Sequence, residues 1–478
     1  MLFSSNIFLF YFLPLFLFLI FILPKKLLTL FIILSSLFFF AWGAPTFIFI
    51  LLIFILIDYF LAGWLERPVF SARKTILWAG ILLNLSLLIY YKYTAFFIEN
   101  LNVLVSRAGF SFNHPSKNLV LPLGISFFTF HKISFLIDVY RKKKGRGSLV
   151  EYLNYILFFP KILSGPILKW RESGSQFSQT PDVSNQTRFE GFFRFSAGLF
   201  QKVWIADVIG MYINPVFMAA PESISSAQMW VTVFAYSFQI FFDFSAYTDM
   251  AIGLANMMGF RLPENFNHPY LARNIREFWQ RWHISLTAWF KEYLFMPLAF
   301  NFSRKLKNNS YLSIKTDYII YSLAVFITFL LTGFWHGAGW TFILWGAYHG
   351  ILLIADRLFL FRFFRKTGAF ISALLTFLLV MFGWILFRAE NLLHFKMIWI
   401  KMFSFDGIEL NFRPLFYVAL GLSAFITMLP LLRKTLLFKN IQVKYPAPLR
   451  FLFYLTLLVL SMAGISSQGF HPFIYFRF

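Results

Sequence analysis

Cysteine is absent from this chain of 478 residues, and charged residues are scarce. Without a thiol there is no disulfide, no thiolate metal ligand and no cysteine nucleophile. The charged fraction is 13%, against ~25% in typical soluble domains. The eight histidines form no H-x-x-x-H or HExxH pair, which disfavours a zinc site. Phosphate-loop, dinucleotide-binding and G-x-S-x-G patterns are missing as well, so several common enzyme classes are excluded.

Apolar residues are abundant instead. Hydrophobic residues make up 59% of the chain, aromatic residues 22%, and there are 70 phenylalanines. A membrane-spanning helix needs ~20 mostly apolar residues, and many such runs follow one another here. No polar stretch is long enough to form a separate soluble unit. The composition therefore predicts one all-α polytopic membrane bundle over residues 1–478, with about eleven to thirteen spans plus re-entrant or interfacial helices.

The net charge of +23 is carried by short basic clusters between the apolar runs. Three of these clusters are Lys25-Lys26, Arg73-Lys74 and Arg141–Lys144. Each is separated from the next by two predicted spans, so all three lie on the same side of the membrane. The positive-inside rule places that side in the cytoplasm. Anionic lipid headgroups are the expected counter-charge, and nucleic-acid binding is disfavoured.

The middle of the chain, from about residue 160 to 300, contains spans interrupted by glycine, proline and charge. Irregular backbone at membrane depth is tolerated only where protein buries it or where it lines a wet cavity. A functional site is therefore expected in this region or against it.

His336 ends an apolar run and lies among Gly333, Gly337 and Gly339, with a tryptophan on either side. The small residues allow close approach of a helix or a ligand. Spacing alone leaves two interpretations equally open. One is a core histidine bonded to a backbone carbonyl, and the other is a general base that titrates near neutral pH.

Two further regions contain candidate residues. Residues 265–283 mix arginine and tryptophan as an interfacial helix would, but His283 lies where the next apolar stretch begins. Asp243 and Asp249 lie within a long apolar run, where carboxylates are functional candidates by default. A structural salt bridge or a helix cap explains them about as well, and so does a proton-coupled transporter.

Six ordered motifs and the chain ending resemble the membrane-bound O-acyltransferase family, in particular its bacterial alginate O-acetyltransferase branch. They cover roughly residues 120 to 350 and the terminus. The motifs are LPLGISFFTF (121–130), FFPKILSGPI (158–167), DFSAYTDMAIGL (243–254), ENFNHPY (264–270), FWQRWHISLTAWF (278–290), GFWHG (333–337) and the ending FIYFRF (473–478).

The resemblance implies a helical bundle with a central tunnel. Residues 1–118 would be N-terminal spans, 119–350 the motif-bearing catalytic core and 351–478 C-terminal spans. His336 matches the family's catalytic histidine, and His283 matches a second polar residue near the tunnel. The implied activity moves acetyl groups from cytoplasmic acetyl-CoA, a substrate and not a bound cofactor, to an exported or cell-surface polysaccharide. Extracytoplasmic acetyltransferase partners and a location in the bacterial inner membrane are also implied.

Alternatives remain open from the sequence. A sister branch transfers D-alanine to teichoic acids, and the aspartates fit a transporter or flippase. An acyl-histidine intermediate is an alternative to direct transfer. Candidate donors for stabilising an oxyanion are Asn265, Asn267 and tryptophan side chains.

Overall fold

Helices build almost the whole structure, as the composition predicts. The computed structural model describes residues 1–67, 72–109, 121–178, 183–432, 446–468 and 473–474. Within those ranges the only strands are Ser310–Tyr311 and Ile314–Lys315, which form a two-stranded antiparallel hairpin. The predicted helical fold class is therefore confirmed.

Seven helices in the described ranges are long and apolar enough to cross a membrane. They are Phe47–Glu66, Arg73–Arg107, Thr316–His336, Trp340–Lys366, Ala369–Arg388, Pro414–Leu431 and Ala447–Ser467. The chain is thus a multi-pass membrane protein. Seven is fewer than the eleven to thirteen spans expected, because several predicted spans are shorter helices, such as Phe8–Ile22, or are broken.

The predicted span at residues 150–169 shows why. It consists of the helices Leu149–Leu157 and Phe159–Ile162, followed by irregular backbone. A hydrogen-bonded histidine holds this irregular segment: Leu168 donates its backbone N–H to His131 Nε2 at 3.1 Å. The other ring nitrogen, Nδ1, is 2.8 Å from the carbonyl oxygen of Phe127. His131 is therefore a core histidine with a structural role, and protein buries the irregular backbone.

The first of two compact units comprises residues 1–195 and 250–263. Besides its membrane helices it contains the segments Phe8–Phe12, Leu13–Ile22, Lys25–Ala41, Ile125–Tyr140, Leu149–Leu157, Phe159–Ile162, Trp170–Ser173 and Gly174–Phe177. Part of its core is made of phenylalanine rings: the centroid of Phe159 lies 5.5 Å from that of Phe12 and 5.3 Å from that of Phe39. The many phenylalanines therefore fill the interior as well as forming outer apolar surface.

A buried ion pair links three helices of this unit. Lys132 Nζ lies 3.2 Å from Asp58 Oδ2, and neither side chain is exposed. Asn84 donates its amide N–H to Asp58 Oδ1 at 2.8 Å. A buried charge needs such partners, because removing one would leave the other uncompensated.

The second unit comprises residues 196–249 and 264–478. Two helices, Asn185–Phe200 and Ser226–Met257, contribute part of their length to it. Its remaining segments are Gln201–Asp207, Val208–Met218, Pro221–Ser223, Pro269–Leu271, Ile275–Arg281, Ile284–Phe290, Lys291–Phe295, Met296–Lys305, Thr316–His336, Trp340–Ala355, Asp356–Leu360, Phe361–Lys366, Ala369–Arg388, Leu392–Met402, Pro414–Leu432 and Ala447–Gln468.

Within the second unit, glycines let the helices Thr316–His336 and Trp340–Ala355 touch through their backbones. A Cβ atom added at Gly333 would lie 2.2 Å from the carbonyl oxygen of Phe342. One added at Gly346 would lie 2.3 Å from the carbonyl oxygen of Phe329. The close approach predicted from the glycines around His336 is confirmed, and it sets the position of that residue.

Candidate functional site

His336 is the last residue of the helix Thr316–His336, and it is only 6% exposed. The chain leaves the helix through an extended glycine, and the next helix begins after the N-cap residue Gly339. This short turn folds the second helix directly back onto the first. A Cβ at Gly337 would collide with the ring of Phe342 at 2.2 Å, so the turn needs glycine there.

Aromatic rings surround the imidazole of His336. The ring centroid of Trp345 lies 5.0 Å away with the two planes nearly perpendicular, and that of Phe387 lies 5.3 Å away. The preceding residue, Trp335, contributes a third ring at 4.8 Å. The imidazole, the side chain most often used as a general base, is thus held among three aromatic rings.

His283 occupies an unusual backbone position. Its φ of 43° is left-handed, a conformation uncommon outside glycine, and it forms the N-cap of the helix Ile284–Phe290. The side chain is 1% exposed. Residues are held in such sparsely populated conformations where the surrounding structure requires them, often at functional sites.

Asn265 holds His283 in place. Its amide oxygen accepts the backbone N–H of Ser285 at 3.2 Å and the Ser285 hydroxyl at 2.8 Å. The same oxygen lies 3.1 Å from His283 Nδ1. Since an amide oxygen only accepts, Nδ1 must donate, and the neutral ring keeps its lone pair on Nε2. The arrangement therefore selects one tautomer of His283.

A series of ring contacts connects the two predicted site residues. It runs from His336 through Trp345, Trp384, Trp282 and Phe266 to His283, with successive centroid separations of 5.0, 6.1, 4.8, 5.1 and 6.4 Å. The two histidines thus belong to one aromatic region of the second unit, although they lie on different helices. Their catalytic roles stay a prediction.

Asp243 belongs to a buried ion cluster. Lys202 Nζ lies 2.8 Å from Asp243 Oδ1 and 2.5 Å from Asp207 Oδ1. The backbone N–H of Ile474 donates to Asp243 Oδ2 at 2.7 Å. The structural salt-bridge interpretation of Asp243 is therefore supported. Asp249 lies in the same helix, Ser226–Met257, and is half-buried.

The chain ending packs beside His283. Phe473 is 3% exposed, and its ring lies 5.5 Å from that of Phe244 and 4.9 Å from that of Tyr247. The ring of Phe244 in turn meets the imidazole of His283 at 4.6 Å. The rest of the motif FIYFRF, residues 475–478, lies outside the described residues.

Two residues that sequence reasoning did not select, Trp345 and His349, also belong to this region. They lie four positions apart on the helix Trp340–Ala355, and their ring centroids are 4.9 Å apart. Among the described residues neither nitrogen of the fully buried His349 has a hydrogen-bond partner. The available signal was a tryptophan and a histidine at i and i+4 within an apolar run.

Two other expectations concern metals and donors. The described part of the chain contains no group of three or more histidine or acidic residues suited to a metal ion. Of the candidate amide donors, Asn265 is buried beside His283, whereas Asn267 is exposed and donates its backbone N–H to the carbonyl oxygen of Arg281. The side chain of Asn265 therefore lies at the site. The hydrogen bond described for Asn267 is made by its backbone N–H.

Comparisons with known proteins identify the family of this chain. The model of the membrane-bound O-acyltransferase family matches residues 117–399, which include both histidines. A probable alginate O-acetylase of Azotobacter vinelandii is 37% identical over 417 residues, covering 86% of this chain and 80% of that protein. A peptidoglycan O-acetyltransferase of Helicobacter pylori is 37% identical over 416 residues, covering 80% of this chain and 75% of that protein.

A more distant similarity extends to another acyl group. A teichoic acid D-alanyltransferase of Bacillus subtilis is 31% identical over 300 residues, which cover 59% of this chain and 72% of that protein. The proteins similar to this chain therefore act on different polymers.

Proposed function

Because the chain belongs to the membrane-bound O-acyltransferase family, we propose that it takes acetyl groups from cytoplasmic acetyl-CoA and passes them through the membrane to an exported or cell-surface polysaccharide. It is a multi-pass membrane acyltransferase. The proposal adds the donor, the acceptor class and a location in the bacterial inner membrane. The similarity to acetylases of alginate and of peptidoglycan supports acetyl as the transferred group and an extracytoplasmic polymer as the acceptor.

The observation that carries the proposal is the placement of His336. The backbone contact at Gly333 and the glycine turn hold the imidazole at one end of a tightly packed helix pair. Contacts with the rings of Trp345 and Phe387 limit the movement of the imidazole. Positioning of this kind matters, because well-oriented reacting groups account for much of an enzyme's rate advantage.

The chemistry follows from these groups. Nε2 or Nδ1 of His336 accepts the proton of an acceptor hydroxyl while the hydroxyl oxygen bonds to the thioester carbonyl carbon. The C–S bond then breaks, and the departing thiolate takes the proton from the imidazolium. The products are an ester and free coenzyme A. General base catalysis contributes ~10²–10⁴-fold.

His283 completes the proposed site as a second polar residue. Its Nδ1–H is committed to Asn265, so Nε2 is the atom that accepts a proton or a hydrogen bond. Extracytoplasmic acetyltransferase proteins, which would complete the transfer to the polymer, and membrane lipid are the proposed partners.

D-Alanyl transfer to teichoic acid is a second candidate, favoured by the similarity to the Bacillus subtilis protein. The acetyl group is preferred because the proteins with higher identity over a longer match are acetylases. A proton-coupled transporter or flippase is less well supported, because Asp243 is paired with Lys202 and accepts the backbone N–H of Ile474.

The test uses protein reconstituted in liposomes with acetyl-CoA labelled in the acetyl group. His336→Ala should slow label transfer by ~10²–10⁴-fold at an unchanged protein level. His394→Gln is the matched control. The ring of His394 is hydrogen-bonded to the backbone carbonyl of Phe217, and it is not among the described residues that contact His336 or His283. Unchanged transfer by His336→Ala would refute the proposal.

The acceptor and the acyl group need a separate measurement. Mass analysis of surface glycans from cells with and without the gene should show loss of O-acetyl esters. Loss of D-alanyl esters alone would support the second candidate. A stable acetyl adduct on His336, found by mass spectrometry after rapid quenching, would indicate an acyl-histidine intermediate in place of direct transfer.

A further inference from the structure

A buried hydrogen-bond donor lies against His336. Trp345 is 1% exposed, and its indole N–H has no hydrogen-bond partner among the described residues. Its ring centroid is 5.0 Å from that of His336, at an interplanar angle of 85°. Buried polar groups in native proteins are nearly always satisfied, so this exception needs an explanation.

Packing fixes the position of the Trp345 ring. It stacks on Trp384 at 6.1 Å and 21°, and it also contacts His349 and Phe387 at 4.9 and 5.4 Å. The neighbouring Gly346 is in backbone contact with the facing helix. These contacts hold the indole within the buried aromatic region that also contains the imidazole of His336.

Acyl transfer creates a need for such a donor. When an oxygen nucleophile attacks a thioester, the carbonyl oxygen becomes an oxyanion, and a fixed donor in a dry site stabilises it strongly. An indole N–H is donor-only and does not titrate in this range, so it cannot compete with the base for the proton. Because the described residues offer this donor no hydrogen-bond partner, it is available to the substrate.

We propose that Trp345 is a catalytic residue whose indole N–H donates a hydrogen bond to the carbonyl oxygen of the acyl group as that oxygen becomes negative. This inference rests on the proposed acyl transfer at His336. The acceptor oxygen bonds to the carbonyl carbon, its proton passes to His336, and the carbonyl electron pair moves onto oxygen beside Trp345. Collapse of this intermediate breaks the C–S bond, and the thiolate takes the proton back.

The decisive change removes the N–H and keeps the ring. Replacement of Trp345 by β-(3-benzothienyl)alanine, in which sulfur stands in place of N–H, should lower kcat by roughly 10²–10³-fold, as loss of an oxyanion donor does. KM for the thioester should change little, because the bond strengthens only as charge develops. Trp345→Phe is the genetic counterpart and should give a similar loss.

Trp384 offers a matched control. It is also fully buried, and its indole N–H also has no hydrogen-bond partner in the described part of the chain. Its ring contacts Trp345, His349 and Trp282 instead of the imidazole of His336. The same sulfur replacement at Trp384 should leave kcat within a few-fold of the unsubstituted protein. Equal losses at both positions would overturn the inference in favour of a packing effect.

A spectroscopic readout separates this inference from the proposed function. In His336→Ala protein, which should bind acetyl-CoA without turning it over, the infrared frequency of a ¹³C-labelled thioester carbonyl reports the hydrogen bond from Trp345. The sulfur replacement at Trp345 should raise that frequency. An unchanged frequency and kcat at Trp345, with transfer lost in His336→Ala, would refute the role of Trp345 alone. Full transfer by His336→Ala would refute the proposed function itself.

Discussion

Gly333→Ala tests whether the backbone contact beside His336 sets the site. The added Cβ would lie 2.2 Å from the carbonyl oxygen of Phe342 and 2.9 Å from the backbone of Gly346. An ordinary contact begins at 3.4 Å, so the two helices would have to separate by about 1 Å. Both contacting groups are helix backbone, which cannot move aside as a flexible side chain would.

The expected cost has two parts. Overpacking of a close contact destabilises by ~1–3 kcal/mol, which should lower the melting temperature in detergent. A displacement of about 1 Å at a reacting group lowers the rate by ~10²-fold, so acetyl transfer in liposomes should fall by that factor even below the melting temperature.

Gly339→Ala is the matched control, three residues beyond His336. A Cβ there meets nothing closer than 3.6 Å, and the backbone is extended at φ −163°, which any residue adopts. This variant should keep its melting temperature and most of its transfer rate. If Gly333→Ala behaves like Gly339→Ala, the close helix contact does not position His336.

Three further predictions concern hydrogen bonds and ion pairs of the second unit. Asn265→Ala removes the oxygen shared by His283 and Ser285 and should lower stability by ~1–3 kcal/mol, the cost of losing a buried hydrogen-bond partner. Asn267→Ala, which keeps its backbone hydrogen bond, should cost little. Equal melting temperatures in the two variants would contradict this prediction. Lys202→Met removes the cation that lies between Asp243 and Asp207 and should destabilise the protein by ~3–5 kcal/mol, with partial recovery in the double variant with Asp243→Asn. A single variant as stable as the unsubstituted protein would argue against the pairing.

The third of these concerns pH. The hydrogen bond from Lys401 holds the pKa of Asp406 below its ordinary value of 3.8. A depressed carboxyl pKa stabilises the folded protein above the ordinary pKa, and this stabilisation is lost as pH falls through the folded value. The melting temperature should therefore fall less steeply below about pH 4 in Asp406→Asn than in the unsubstituted protein. Identical slopes would show that the carboxylate contributes nothing.

Much of the fold follows from local sequence, and less of the site does. The hydropathy of each apolar run depends only on its own residues, so the helical membrane class could be predicted. The number of spans could not, because hydropathy does not register the breaks that divide residues 150–169 into short helices. The glycines around His336 leave its role open between a core histidine and a general base, and the family motifs make it the catalytic candidate. The contact at Gly333 shows why a glycine is needed there.

The sequence by itself determined a helical membrane protein of an O-acyltransferase family, with His336 and His283 as candidate site residues. Hydropathy and short motifs are local features, because each depends on residues that are close together along the chain. Only the tertiary structure decided that Asp243 pairs with Lys202 and receives the N–H of Ile474, 231 residues away along the chain. It likewise placed the indole of Trp345 against His336, because which face of a helix meets which neighbour depends on packing between segments that no local pattern records.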